Sequence, residues 1–404
     1  MEDGLAGTAV LALGLAISLV IGVRHPSLKW VILVAFGIRA AAALTHVFML
    51  ALPGSGDDVV RYEALGWSFA EPGCSQAFYS FTTGPYLYSW IIGMVYCWAG
   101  RSPLAIQGIN VIFGMLAVFA TFLLARQLGS TPRNSRRASW LASFFPEAIL
   151  YSALTAREAI PILFVVLGSY SIAKWWMGLQ PRWLILATVS FAICSFFHTG
   201  FIVLFGMILP VLIVRLRRLN VEDATPKVLA SVGASFVVIA VALTIALTGA
   251  GLEKLQLLDK GLDDLQEGKA RDRAAYLSGV TLQKPTDFIW QPPLRLAHFF
   301  FAPFPWQIQN MLDVLGALDA MFYLYLAYTI VSAKSGLRRN SVALLISVLV
   351  LVTVLAFSMA TSNYGAAIRH RAKFAFLLLA IYAYAKPFAG KKIRRFLRSH
   401  SNPN

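Results

Sequence analysis

The sequence predicts an all-α, polytopic transmembrane fold of about eleven spans, with one further re-entrant or interfacial segment. Three observations predict it. The 404 residues are 58% hydrophobic and only 13% charged, and the mean hydropathy of +0.67 lies far above that of a water-soluble domain. Apolar stretches of spanning length recur from one end of the chain to the other. The cations also fall in short runs between alternate stretches, as "RNSRR", "RLRRLN" and "KKIRRFLR".

The expected spans are 5–23, 30–51, 104–125, 138–156, 158–177, 183–197, 199–215, 228–248, 310–332, 341–360 and 371–386. The first follows an acidic "MED" with no basic flank and no small-residue cleavage motif, so it is expected to be a retained span. The chain forms one integral membrane domain (1–404), with no stretch left for a large soluble domain. If 24–29, 126–137, 174–182, 215–227, 333–340 and 386–404 lie inside, they hold more than half of the 35 Lys and Arg, as the positive-inside rule demands. The C-terminus is then cytoplasmic. A full crossing by the aromatic stretch 79–100 would break this alternation, so it is expected to dip into the membrane within an outer loop, 53–100. The basic runs set topology, and the net charge of +16 does not imply nucleic acid. Cys74, Cys97 and Cys194 show no metal-ligand spacing, and their odd number forms no complete disulfide framework.

With this topology the remaining polar residues gather on the outer side, in "GSGDDVVRYEALG" (54–66), "LTAREA" (154–159), "FFHTGF" (196–201), "LRLAHFFFAPFPW" (294–306) and "SNYGAAIRHRAKF" (362–374). Asp57 and Asp58 follow a turn and open a helix, where one carboxylate caps and the other is free to act as base or metal ligand. Arg157 and Glu158 are adjacent, point to different helix faces, and either mark a turn between spans or present one charge to a site that the other fixes. Arg295 and His298 share a helix face beside an aromatic, proline-stiffened "PFPW". A mixed-charge stretch, 252–276, has leucines at helical spacing and is expected to be an amphipathic helix that lies on the outer leaflet or covers the site, within an outer segment 249–309.

Taken in order, "GDD" with "RY", "FPEAILYSALTARE", "FHTG", "PFPW" and "NYGAAIRHR" resemble the motifs of bacterial GT-C type multi-spanning glycosyltransferases and the related exopolysaccharide and O-antigen polymerases. The resemblance implies sugar transfer from a polyprenyl-phosphate-linked donor to a sugar or lipid-linked acceptor, at the outer face of a bacterial inner membrane. It implies Asp57 or Asp58 as catalytic base, with Glu158 and His198 as further catalytic candidates. The departing phosphate needs cations, because guanidinium groups bind it by paired hydrogen bonds; the candidates are Arg369, Arg371, Arg157 and Arg295, with His370. Asn363, Tyr364 and Tyr62 are candidates for sugar hydroxyls. No cofactor is required by the pattern, although the two aspartates are able to hold a divalent cation. Arg369 and Arg371 cannot face the same way on a helix, so one is expected in the site, preferably Arg369, and the other at lipid phosphate. A flippase for the same lipid-linked sugars needs polar residues through the membrane depth, and only Arg39, Glu147, Asp313 and Asp319 stand there.

Overall fold

The computed structural model describes residues 2–56, 58–217, 233, 274–277, 280, 284 and 286–400. They form helices α1 (Glu2–Arg24), α2 (Lys29–Phe48), α3 (Asp58–Ala70), α4 (Cys74–Tyr79), α5 (Leu87–Ala99), α6 (Pro103–Gln127), α7 (Pro132–Ser143), α8 (Pro146–Ala153), α9 (Ala159–Gly178) and α10 (Pro181–Phe197). After these come α11 (Ile202–Gly206), α12 (Ile208–Leu216), α13 (Asp287–Phe301), α14 (Met311–Ser332), α15 (Lys334–Arg339), α16 (Ser341–Met359) and α17 (Tyr364–His400). The only β pairing among the described residues is an isolated bridge between Ala275 and Asn363. The all-α prediction agrees with this.

Among the described residues, six helices are long and apolar enough to cross a membrane: Gly4–Arg24, Pro26–Phe48, Pro103–Gln127, Ala159–Gly178, Met311–Ser332 and Ser341–Met359. The count of about eleven is therefore not reproduced as eleven long helices. Leu87–Ala99, Pro181–Phe197 and Thr199–Arg215 are apolar but shorter. With 13 residues, α5 rises about 20 Å, short of a 30 Å hydrocarbon core. Apart from Gly233, the expected span 228–248 lies outside the described residues, as does the expected amphipathic helix 252–276 up to residue 273. The end of that stretch is not helical, because Tyr276 N donates to Ser362 O and Tyr364 N donates to Ala274 O, both at 2.9 Å.

The expected span 138–156 is two helices. Proline has no N–H to donate and disfavours helical geometry in the residue before it, so Pro146 ends α7 and starts α8. The break leaves carbonyls at the end of α7 without helical partners, deep in an apolar layer. Arg39, fully buried on α2, supplies the donors: Nη1 to Ser143 O at 3.2 Å and Nη2 to Ala142 O at 3.1 Å. This is why a charge is tolerated inside the second span. Gly114 on α6 gives it room, since a Cβ there would sit 2.9 Å from Arg39 Nε and 2.3 Å from Ser152 Oγ.

Polar side chains fix the helix starts. Ser102, Thr131 and Asn310 each accept a backbone N–H three residues on, and Pro103 and Pro132 occupy the first turn. Asp313 completes a capping box with Asn310 and so belongs to the helix start, with no place in a polar path across the bilayer. At the centre, α6 packs against α1, α2, α7, α8, α9 and α17, while α17 also packs against α13, α14 and α16. This pair of central helices carries the scaffold.

Outside it, α3 and α5 form a hairpin-like unit packed through Gly66, where a Cβ would lie 2.4 Å from Ile92 Cγ2. Cys74 and Cys97 are disulfide-bonded across a separation of 23 residues and tie α4 to α5. The expectation that cysteine chemistry carries no signal is corrected here: the odd residue, Cys194, is buried by itself, and the other two pair. Spacing could not show this, because pairing depends on how α4 folds back on α5.

Candidate functional site

The α8–α9 turn holds Arg157 and Glu158 at one end of the bundle. Asn110 on α6 clamps that turn, with Nδ2 at 2.8 Å from Leu154 O, from Ala156 O and from Tyr88 Oη. Turn carbonyls buried between helices need such a donor. Nothing in the sequence marked Asn110, an ordinary amide in an apolar run.

Glu158 is 1% exposed and accepts from Arg369, at 2.7 Å from Nη2 and 3.1 Å from Nε. Arg369 Nη1 reaches Asp58 Oδ2 at 2.5 Å. One guanidinium on α17 thus spans a buried carboxylate from the α8–α9 turn and a carboxylate at the start of α3, whose side chain is 45% exposed. Burial alone would raise the Glu158 carboxyl, but Arg369, Lys373 and Arg157 together hold it at about 2. Burial opposes the charge on Arg369, and Glu158 and Asp58 more than offset it, keeping the guanidinium protonated.

Arg157 points elsewhere. Its Nη1 donates to Phe197 O at 2.8 Å, its plane lies 5.6 Å from the Tyr62 ring, and its buried Nε has no partner. Tyr62 is 3% exposed, standing edge-on to Tyr88, so it supports Arg157 from below and does not offer an open hydroxyl. His198 ends α10; its Nδ1 accepts from Gly200 N at 3.1 Å, and its ring stacks on Phe357 and meets His370 edge-on at 4.6 Å. Lys373 Nζ lies 3.0 Å from His370 Nδ1. Burial, then Lys373, lowers His370 well below its ordinary value. The expectation of His370 as a phosphate cation is corrected on geometry: its Nδ1 meets the Lys373 amine and its ring packs against His198 and Phe357.

Arg371 is also corrected. It is fully buried and directs its donors to Phe300 O at 2.7 Å, Ala302 O at 2.8 Å, Gly316 O, and Glu147 Oε1 at 3.2 and 3.3 Å. All five N–H groups are taken by the protein, leaving none for phosphate of substrate or lipid. Arg295, fully buried as well, binds Gln291 Oε1, Ser362 Oγ and Val280 O, which makes it a brace between α13 and the turn before α17. Asn363 caps α17, its Oδ1 accepting from Gly365 N and Ala366 N at 2.8 and 3.2 Å. Tyr364 is 2% exposed. Helix capping and packing explain both more simply than sugar binding does.

Asp57 lies outside the described residues. The segments expected to converge therefore divide: Asp58, Arg157, Glu158, His198, Arg369 and His370 gather, while Arg295, Arg371, Asn363 and Tyr364 hold the scaffold beneath them. Among the described residues no group of three or more His, Cys, Asp or Glu is placed to hold a metal ion.

Two cavities lie in the same part of the molecule, and neither is lined by a residue of this cluster. One of about 510 Å³ lies along the outer face of α3, lined by Arg61, Leu65, Phe69 and Tyr86. The other, about 310 Å³ and apolar, lies between α5, α6, α9 and α10 and includes Tyr88, Asn110 and Phe197.

Residues 83–245 match the family model described as dolichyl-phosphate-mannose-protein mannosyltransferase. That stretch contains Arg157, Glu158 and His198, and the match supports the resemblance to GT-C type glycosyltransferases. Among solved structures, the chain is similar to the Archaeoglobus fulgidus oligosaccharyltransferase in its apo form, at 15% identity and a TM-score of 0.46, covering 93% of this chain and 53% of that one. The chain spans about half the length of that protein. No curated protein matches it.

Proposed function

We propose that this protein is a membrane glycosyltransferase that moves a sugar from a polyprenyl-phosphate-linked donor to a hydroxyl acceptor, at the extracytoplasmic face of a bacterial inner membrane. The observation that carries the reading is the chain Asp58–Arg369–Glu158. It joins the starts of α3, α9 and α17 and leaves one carboxylate half exposed at the rim of the bundle.

In this reading Asp58 accepts the proton of the attacking hydroxyl. It is the exposed carboxylate of the cluster, and its geometry is fixed by a charge-assisted bond from Arg369. Glu158 is the buried anchor that holds Arg369 in place. Arg157, which makes no ion pair among the described residues, is the cation for the donor phosphate, and its fixed position costs no reorganisation as charge develops on the departing oxygen. A lipid-linked donor keeps its chain in the bilayer, so its reacting carbon must meet a site at the ends of spans, where this cluster stands. The Cys74–Cys97 bridge supports the outer placement of the loop that carries Asp58, because disulfides persist in oxidising compartments.

The test is sugar transfer by the full-length protein in nanodiscs, with a polyprenyl-phosphate hexose as donor. Asp58→Asn abolishes transfer while the melting temperature stays near that of the wild type. Undiminished transfer by that variant overturns the role of Asp58.

A further inference from the structure

Below the cluster, Arg371 meets a second acidic group that the sugar-transfer chemistry does not use. Glu147 on α8 is 1% exposed, and Asp319 on α14 is also 1% exposed. Gly316, Asp319 and Tyr323 recur on one face of α14, and Arg371 donates to Gly316 O and faces the Tyr323 ring, so the Asp319 carboxyl stands on the face of α14 that meets the Glu147–Arg371 pair. Glu147 Oε1 accepts both bonds from Arg371, while Glu147 Oε2 and Asp319 Oδ2 are buried without a donor, and the Tyr323 hydroxyl is buried without a hydrogen-bond partner. The other ionisable groups facing Glu147 are Tyr151 on α8 and Tyr323 on α14, whose ring lies 5.4 Å from the Arg371 guanidinium.

Charge counting decides how many protons this buried group holds. With both groups ionised, one guanidinium faces two negative charges in an apolar interior, leaving a net charge that burial penalises heavily. With one proton between them the group is neutral overall, and one of the oxygens that lack a donor gains it.

We infer that Glu147 and Asp319 hold a single shared proton inside the membrane and act as positioning residues that fix Arg371, and through it the start of α17 that presents Arg369. The path is short. Arg371 lies two residues beyond Arg369 on the same helix and is bonded to α8 through Glu147, to Phe300 O on α13 and to Gly316 O on α14. Rotation or sliding of α17 would break these bonds and move Arg369 away from Asp58 and Glu158 together. Without the proton, the repulsion between two carboxylates would separate α8 from α14 and open the seat of Arg371.

Infrared spectroscopy on the full-length protein in nanodiscs tests this without any substrate. The wild type at neutral pH shows a protonated-carboxyl C=O stretch that disappears in the difference spectra against Asp319→Asn and, independently, against Glu147→Gln. Asp319→Asn replaces O–H with N–H as donor and keeps the melting temperature within about 2 °C of the wild type. Asp319→Leu leaves Glu147 Oε2 without a donor and melts clearly lower. Absence of the acid band from the wild type, its persistence in both variants, or equal melting of the Asn and Leu variants overturns the inference. The activity arm rests on the proposed sugar transfer: Asp319→Asn retains kcat and Asp319→Leu loses it about tenfold or more, with KM for acceptor little changed. If the wild type transfers no sugar, the infrared and melting results still decide the proton.

Discussion

Arg369 and Arg371 are two residues apart on α17 and serve opposite sides of it. Arg369 binds Asp58 and Glu158 at the rim, and Arg371 is sealed in the interior against Glu147 and three backbone carbonyls. Two steps along an α-helix rotate a side chain by about 200°, so adjacent cations in one motif are committed to different tasks.

The two arginines therefore fail differently when replaced. Arg369→Gln lowers transfer by about two orders of magnitude or more, since it loosens the carboxylate at the reacting end; it also takes from buried Glu158 its nearest cation, but Lys373 and Arg157 still face that carboxylate and Asp58 is half exposed, so melting falls less than for Arg371→Gln. Arg371→Gln strips Glu147 of its cation in a buried place, a loss of about 3–5 kcal/mol, and shows as poor yield and a collapsed melting curve. Thermal melting beside transfer assays separates them; equal melting of the two variants contradicts the division.

Glu158 gives a prediction about acid. Its folded value of about 2 lies below the ordinary glutamate value of about 4.3. The unfolded chain takes up the proton first, so the stabilisation is complete above pH 4.3 and is lost as pH falls through the window down to about 2. Glu158→Gln removes that component. The difference in melting temperature between wild type and variant shrinks as pH drops through the window; a constant difference contradicts it.

Asn110 is predicted to govern the α8–α9 turn. Asn110→Ala leaves the buried carbonyls of Leu154 and Ala156 without their donor, at a cost of about 1–3 kcal/mol. Arg157 and Glu158 hang from that turn, so kcat falls further than the melting shift alone accounts for. Asn110→Asp, which offers no amide donor at neutral pH, reproduces the defect. Unchanged kcat in both variants would show that the turn holds itself.

The Cys74–Cys97 bond is testable in cells. Thiol-specific mass tags applied to denatured protein label Cys194 alone before reduction and all three cysteines after it. Cys74→Ser frees Cys97 and lowers stability by about 3 kcal/mol, the order expected for closing a loop of this length. Full labelling without reductant would place the α3–α5 unit on the reducing side.

Much of the site was legible because it follows from where polar residues interrupt apolar runs. Asp58, Arg157, Glu158, His198 and Arg369 sit at span ends on one side, and alternation of loops was enough to bring them together. The roles within the motif were not legible. Asn363 and Tyr364 look like site residues in "NYGAAIRHR", and the structure uses them for a cap and for packing. Glu147 and Asp319 are 172 positions apart, and no local pattern announces that they meet.

By itself the sequence determined the class of the molecule: hydropathy and cation spacing require a bundle of membrane helices with its chemistry at one end, since unpaired charge is excluded from lipid. The tertiary structure decided which charges meet which partners. A charge in an apolar interior is tolerable only where a partner meets it, and its partner comes from another helix: Arg39 from the broken end of α7, Arg371 from Glu147, Arg369 from Asp58 and Glu158. Those meetings depend on helix rotation and packing, which no stretch of sequence states locally.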